Sequence, residues 1–389
     1  MASTNSNAST SRISRRGFVA GAAALAAGLG IMALAGCGND ASSTSGGSSA
    51  GSSAASTSAA GGASTTSGGK QLRFVTGGES GTYYAFGSVI AQHATNNTPY
   101  KVTVLSGNGS QANVVALQDN EAELAFCQSD VMSYAYQGSN LFASTGAVDC
   151  FSVLGALYQE QVQIVTCNAD IKSVADLAGK KVSVGAKGSG VYFNALDILG
   201  VYGIGVDDSD DPSLKKDQNI TPTYQSFGDS ANDLKDEKID AAFIVAGYPT
   251  TAITDLSTSK TAYLVALDDD HVAQLLDASP YYSKATIPAG TYTGLDTDTT
   301  TVAVEAVVIV RDDVEDDAVY AIAADIFDNA SNLVESHAKY AEVSVETGAS
   351  ITSVPYHPGA AKYFAEKGYS LETKNGKVEA TGAASSKAD

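Results

Sequence analysis

Apolar and polar positions follow two periods along this chain, and they settle into them only at residue 70. Residues 71–76 place Leu72, Phe74 and Val75 in a short strand, and the glycine-rich turn 77–81 leads into a helical segment from Thr82 to about Ala94. Residues 101–105 read as a second strand, 108–119 as a helix capped near Ser110, and 123–127 as a third strand. The alternation restarts after Glu160. It gives a strand at 162–167, a short helix at 173–178, a strand at 181–185, and a Gly188-Ser189-Gly190 turn opening a helix to about Tyr202. Residues 203–219 are polar, rich in Gly and Asp, and read as an exposed excursion. A strand at 223–227, a helix near 229–236 and strands at 241–245 and 262–267 complete the second series. The Val-rich run 302–311 is long enough to cross between two halves, and an amphipathic helix over about 314–334 returns the chain to the first.

Strands alternating with helices predict an α/β fold with largely parallel sheets, whose functional loops lie at the carboxyl ends of the strands. At 389 residues the chain is too long for one ordinary core and long enough for two lobes. Residues 70–158 with 300–389 form the expected first lobe, and 159–299 the second. Lobes joined by extended crossings make a hinged clamp, and solutes favour the cleft between them.

The segment before residue 70 reads as address and tether. Ser14-Arg15-Arg16-Gly17-Phe18-Val19 has the form of a twin-arginine export signal ahead of a mildly apolar run from Gly17 to Gly36. That run is richer in Ala and Gly than a stop-transfer helix, and it ends in Leu34-Ala35-Gly36-Cys37, a lipobox. Residues 1–36 are therefore expected to be a signal peptide, and Cys37 the site of acylation that anchors the chain to the outer face of the cell membrane. An incidental cysteine closing a transmembrane anchor is the competing reading. Residues 41–69 contain only Ala, Ser, Thr and Gly, so 37–69 is expected to be a lipidated cysteine with a disordered tether of about 30 Å reach.

Charge narrows the partners. The formal net charge is −20, and all basic residues before position 37 are arginines. From there onward 20 basic residues face 43 acidic ones, a net −23. Such a surface repels phosphate backbones, which argues against nucleic acid. Trp is absent while Tyr occurs 19 times, and phenols suit the recognition of polar solutes.

A series of blocks gives these features a common origin. They are Thr76-Gly77-Gly78 with Gly81-Thr82-Tyr83-Tyr84, Gly109-Ser110 with Asn113, Ala125-Phe126-Cys127-Gln128-Ser129-Asp130, and Tyr158-Gln159-Glu160. Then come Asp176-Leu177-Ala178-Gly179-Lys180-Lys181-Val182, Gly188-Ser189-Gly190, Ile239-Asp240-Ala241-Ala242-Phe243, Gly247-Tyr248-Pro249, Ile287-Pro288-Ala289-Gly290-Thr291-Tyr292 and His357-Pro358-Gly359-Ala360. In this order, residues 70–368 resemble the TAXI family of solute receptors for TRAP transporters. Ala112, Val191 and Cys127 depart from the usual pattern, where an acid, a Thr and a Val are common. The resemblance implies a two-lobed periplasmic-binding-protein type II fold with a hinged interlobe cleft. It also implies a monomer without catalytic activity that captures a small solute and delivers it to a TRAP-type permease.

Candidate contacts follow from the blocks. The turns before Thr82 and at 188–190 expose backbone N–H groups at helix starts, which attract anionic groups; the alternative is a tight strand–helix turn with no ligand role. A carboxylate would rest there on Gly81, Gly190, the hydroxyls of Thr82, Ser110 and Ser189, and Lys187. No arginine clamp is expected, because Arg73 lies inside the first strand and Arg311 at the end of the long one. Gln128, Asp130 and Glu160 could accept from an ammonium, or simply bond loops. Tyr83 and Tyr248 could cover the apolar part, or simply pack. Asn113 is a helix-start residue that its block makes a candidate. Together these suit a small zwitterion such as glutamate or glutamine, or a small carboxylate.

No cofactor or metal is expected: His93, His271, His337 and His357 are scattered, and His357 before Pro358 reads as a turn or cap. Cys127, Cys150 and Cys167 allow one disulfide with a free thiol or three reduced cysteines. Neither glycine-rich run has nucleotide-binding spacing, and no Gly-x-Ser-x-Gly elbow exists. Competing functions are a ligand sensor docking on a membrane receptor, a surface-anchored hydrolase using Asp130 and Glu160 as acid and base, and an adhesion protein.

Overall fold

The structure is a computed structural model and describes residues 70–381; the export signal, Cys37 and the 41–69 tether lie outside the described residues. The chain begins β1 (Gln71–Val75), α1 (Thr82–Asn97), β2 (Lys101–Leu105), α2 (Ser110–Gln118), β3 (Leu124–Gln128), α3 (Ser129–Gln137) and β4 (Phe151–Thr166). It continues β5 (Lys181–Ser183), α4 (Gly190–Val201), β6 (Ile204–Val206), β7 (Gln218–Thr223), α5 (Phe227–Lys235) and β8 (Ala241–Ala246). Next come α6 (Thr251–Ser259), β9 (Tyr263–Leu264), α7 (Asp269–Ala278), β10 (Ser283–Ile287) and the long β11 (Thr299–Arg311). Helices α8 (Asp316–Asp328), α9 (Ala330–Leu333), α10 (Val345–Gly348) and α11 (Pro358–Glu366) precede a small hairpin, β12 (Leu371–Thr373) and β13 (Gly376–Val378).

One sheet runs β2-β1-β3-β11-β4-β8-β5-β7-β6, with β10 paired to β11 and β9 to β4. At one end β1 lies parallel to β2 and β3; at the other β5 lies parallel to β7 and β8, and β6 to β7. Between these wings β4 and β11 pair antiparallel, Phe151–Gln161 against Ala303–Arg311. Each strand then serves both wings: β4 goes on to pair with β8, and β11 pairs with β10 early and β3 late. The α/β, two-lobed architecture is the one the periodicity predicts.

Burial explains which segments became central strands. Every residue of β3 and β8 is buried, as expected for strands covered on both faces. One core gathers Leu72, Phe74, Phe86, Phe126, Phe151 and Phe364, and it reaches along β4 to Tyr158 and along β11 to Ala306. A second gathers Val162, Val182, Ile198, Phe243, Val302 and Val304, and a third lies beneath it around Val165, Ile244, Ile253 and Tyr292. Between the cores, β4 carries the polar run Gln159-Glu160-Gln161.

Several expected elements differ. The strand expected at 162–167 begins eleven residues earlier, at Phe151. Gly155 and the polar triplet hide it, but Gly155 is there so that Phe327 of α8 can approach: a Cβ would lie 2.7 Å from Phe327 Cζ. The strand expected at 223–227 is β7, which ends at Thr223. The exposed stretch before it contains β6 and a helical turn at Pro212–Leu214. The helix expected over 314–334 breaks at Asn329 into α8 and α9.

α11 packs on α8 through Gly359, where a Cβ would overlap the backbone oxygen of Asp316. Gly359→Ala is therefore expected to cost about 1–3 kcal/mol, since backbone cannot rotate aside as a side chain does. Urea unfolding checks this; an unchanged midpoint would mean that the two helices slide apart freely.

Candidate functional site

The carboxyl ends of the parallel strands in both wings point at one cavity of about 100 Å³. The loop after β1 brings Gly77, Gly78 and Ser80, with Gly81, Thr82 and Tyr83 opening α1. The loop after β2 brings Gly107, Asn108 and Gly109, with Ser110 opening α2, and Gln128 ends β3. From the other wing come Ala186, Ser189, Gly190 and Val191 after β5, Gln225, Ser226 and Phe227 after β7, and Val245 and Ala246 of β8. Glu160 of β4 lines the same cavity from the crossing strands.

Backbone geometry makes these loops tight. Gly109 has φ +99° and Gly188 φ +85°, conformations that side chains rarely adopt. The wings touch across the cavity: Ala112 N–H donates to Gly188 O at 2.9 Å, and Thr82 Oγ1 to Gly247 O at 3.0 Å. Phe227 packs at the Gly81 backbone.

The cavity offers two kinds of partner. Helices α1, α2 and α4 all begin on it, and none has a side-chain cap, so their N–H groups and dipoles favour an anion. Ser189 Oγ is buried there without a partner. Glu160 is the acidic residue of the lining. It is 2 % exposed, and burial pushes its carboxyl up to about 8, although the Tyr83 hydroxyl donates to Oε2 at 2.5 Å. Among the described residues no Lys or Arg lines the cavity. Lys187 turns outward to Asp210 at 2.7 Å, Arg73 pairs with Glu123 and Arg311 with Asp313.

Of the expected contacts, Gly81, Thr82, Tyr83, Ser110, Gln128, Glu160, Ser189 and Gly190 meet in this cavity. Asn113, Asp130 and Tyr248 do not line it. Asn113 is buried beneath α2, where Nδ2 donates to Thr76 O at 2.7 Å and Phe126 O at 2.8 Å. Tyr248 faces a different hollow, with Lys339 Nζ 4.5 Å from its ring centre. Asp130 stands one layer behind the cavity: Oδ2 accepts from Asn194 Nδ2 at 2.8 Å and Oδ1 from Val131 N–H at 2.8 Å. Burial raises its carboxyl to about 7. Asp130 and Glu160 thus do not share the cavity as a hydrolytic acid–base pair would.

Asn194 was not among the expected contacts. It accepts from Gln128 Nε2 at 2.6 Å and also donates to Tyr282 Oη at 2.8 Å, bridging the two wings. Its signal was a lone amide on the apolar face of α4. Gln225, Ser226 and Phe227 also line the cavity, although their sequence reads as the end of a strand.

Elsewhere His357 caps α11, accepting from Gly359 N–H, and His93 pairs with Asp325. Cys127, Cys150 and Cys167 are unpaired among the described residues. No cluster of three metal-ligating side chains, and no helix long and apolar enough to cross a membrane, occurs among the described residues.

A sequence profile described as the NMT1-like family matches residues 74–368. Among solved structures, the chain is similar to an alkanesulfonate-binding protein from Xanthomonas axonopodis pv. citri bound to MOPS. That likeness has 15 % identity and a TM-score of 0.41, covering 77 % of this chain and 91 % of that one. It is also similar to an ancestral arginine-binding protein bound to arginine, at 14 % identity, TM-score 0.41, and coverage of 70 % and 95 %. A third is the substrate-binding protein of an amino acid ABC transporter, at 11 % identity, TM-score 0.39, and coverage of 70 % and 96 %.

Proposed function

The chain belongs to the NMT1-like family, and from that premise we propose that it is an extracytoplasmic solute-binding receptor without catalytic activity. It holds a small zwitterion or carboxylate and hands it to a membrane permease. The observation that carries this reading is two kinds of partner in one cavity: three helix starts without side-chain caps, and the buried Glu160. An α-amino acid brings matching charges, its carboxylate to the helix starts and its ammonium to Glu160. Gly81, Thr82, Ser110, Ser189 and Gly190 are assigned to the carboxylate, and Tyr83, Gln128 and Glu160 to the ammonium. Asn113 and Asp130 support the loops from behind.

The finer reading follows the sequence blocks. It places the receptor in the TAXI group, with a TRAP-type permease as partner, exported as a monomer and anchored through acylated Cys37. The first lobe then comprises residues 70–158 with 300–389, and the second 159–299.

Mass spectrometry of solute released from the purified chain, followed by calorimetric titration of an amino-acid and dicarboxylate panel, tests the proposal. One member is expected to bind with unit stoichiometry and be recovered unaltered. No heat across the panel and no released solute would overturn it.

A further inference from the structure

The cavity of Glu160 also limits what its solute can be. The second wing lines it with Val191, Phe227, Val245 and Ala246, whose side chains offer no hydrogen bond. The polar side chains around them are already engaged. Gln225 Oε1 accepts from Thr223 Oγ1 at 2.7 Å, and its Nε2 donates to Asp233. Ser226 Oγ donates to Asp229 at 2.7 Å, Thr82 Oγ1 to Gly247 O at 3.0 Å and Gln128 Nε2 to Asn194 at 2.6 Å. What stays free for an anion is the backbone N–H groups at the starts of α1, α2 and α4, with the orphaned Ser189 Oγ beside the last. Each helix start carries about half a positive charge. With no Lys or Arg in the lining among the described residues, the three together balance one carboxylate and fall short of two.

Space points the same way. A cavity of about 150 Å³ takes benzene, so one of about 100 Å³ suits a solute of about six non-hydrogen atoms or fewer. Alanine has six, whereas glutamate and glutamine have ten. The cavity cannot lengthen between the wings while Ala112 N–H holds Gly188 O at 2.9 Å and Gln128 holds Asn194. A longer side chain would have to part these bonds or leave by the rim, where Ser80 and the exposed Asn108 stand.

We propose that the solute is a small aliphatic α-amino acid of about alanine's size, its carboxylate on the helix starts and its methyl group against Val191, Phe227, Val245 and Ala246. This rests on the zwitterion reading above and narrows it. Acidic and amide side chains, such as those of glutamate and glutamine, are selected against because they bring a polar group that finds no partner in the cavity.

Calorimetric titration of the full chain at pH 8 with L-alanine, L-glutamate, L-glutamine and propionate (alanine without its ammonium) tests this. L-Alanine is expected to bind at least ten-fold more tightly than each of the other three. Phe227→Ala widens the cavity at its apolar wall, and there the lead of alanine over glutamine is expected to shrink at least three-fold. If glutamate or glutamine matches alanine in the unaltered chain, the preference for a short side chain falls and the zwitterion reading stands. If propionate matches alanine, the ammonium has no place at Glu160 and the zwitterion reading falls with this one. No heat from any of the four overturns the proposal whatever a wider panel shows. A lead that Phe227→Ala leaves whole would overturn the apolar wall as its cause. Should that variant fail to fold, the comparison on the unaltered chain decides alone.

Discussion

Glu160→Gln is expected to make the empty chain melt higher at pH 8 while weakening solute capture at least ten-fold. Both effects come from one buried carboxyl. Glu160 is held at about 8 because burial opposes its charge, whereas in an unfolded chain it ionises near 4.3. A carboxyl raised in the folded state keeps its proton after the unfolded chain has lost its own. Stability therefore falls as pH climbs from about 4.3 towards 8, by about 1.4 kcal/mol per unit at most. Gln cannot ionise and removes that slope, so melting against pH should be flatter in the variant.

Solute binding runs the other way. An ammonium beside Glu160 favours the ionised form, so at pH 6 binding must expel a proton that is mostly absent above 8. Affinity for an amino acid should rise up to ten-fold per unit between 6 and 8 in the parent chain and stay flat in the variant. Losing a buried partner of a charged hydrogen bond costs about 2–5 kcal/mol, enough for the ten-fold loss several times over. A parent affinity that is flat or rises towards acid would remove the ammonium from Glu160 and leave a carboxylic acid there instead.

This division of labour explains what the sequence could reveal. The parallel wings are legible because β1, β3 and β8 bury apolar runs, and the glycine-rich turns before Thr82, at Gly109 and at 188–190 lead straight to six of the cavity residues. The crossing strand β4 was half hidden, because its middle is polar for the sake of the two hollows it separates: Glu160 lines one, Gln159 and Gln161 the other. Local periodicity reads such a triplet as loop. Asp130 and Asn113 read as polar candidates, but only tertiary contact shows that Asp130 meets its own helix start and Asn194 of the other wing, and Asn113 the carbonyls of Thr76 and Phe126. Asn194 is invisible for the same reason: its partners Gln128 and Tyr282 lie 66 and 88 residues away.

That bridge sets up the second large effect. Gly190→Ala is expected to leave the fold standing and reduce solute affinity at least ten-fold. Gly190 opens α4 at the point where the wings meet, and a Cβ there would overlap Gln128 Oε1, lie 2.5 Å from Gln128 Cδ and 2.9 Å from Ser110 Oγ. Two movements relieve the overlap. Gln128 can swing into the cavity, blocking it and orphaning Asn194 Oδ1, or the wings can part, which undoes the cavity itself. An orphaned buried group costs the folded chain about 1–3 kcal/mol, and solute must in addition displace the swung amide, for which a ten-fold loss corresponds to about 1.4 kcal/mol. The overlap exists with or without solute, so denaturant unfolding should also fall, by about 1–3 kcal/mol. The coupling is checked by repeating Gly190→Ala in a Gln128→Ala chain, using the solute recovered from the purified protein. With the amide gone the methyl has room, and its cost should mostly vanish. An equal loss in both backgrounds would mean that Gly190 acts on the solute directly and that the Gln128–Asn194 bridge does not hold the wings together.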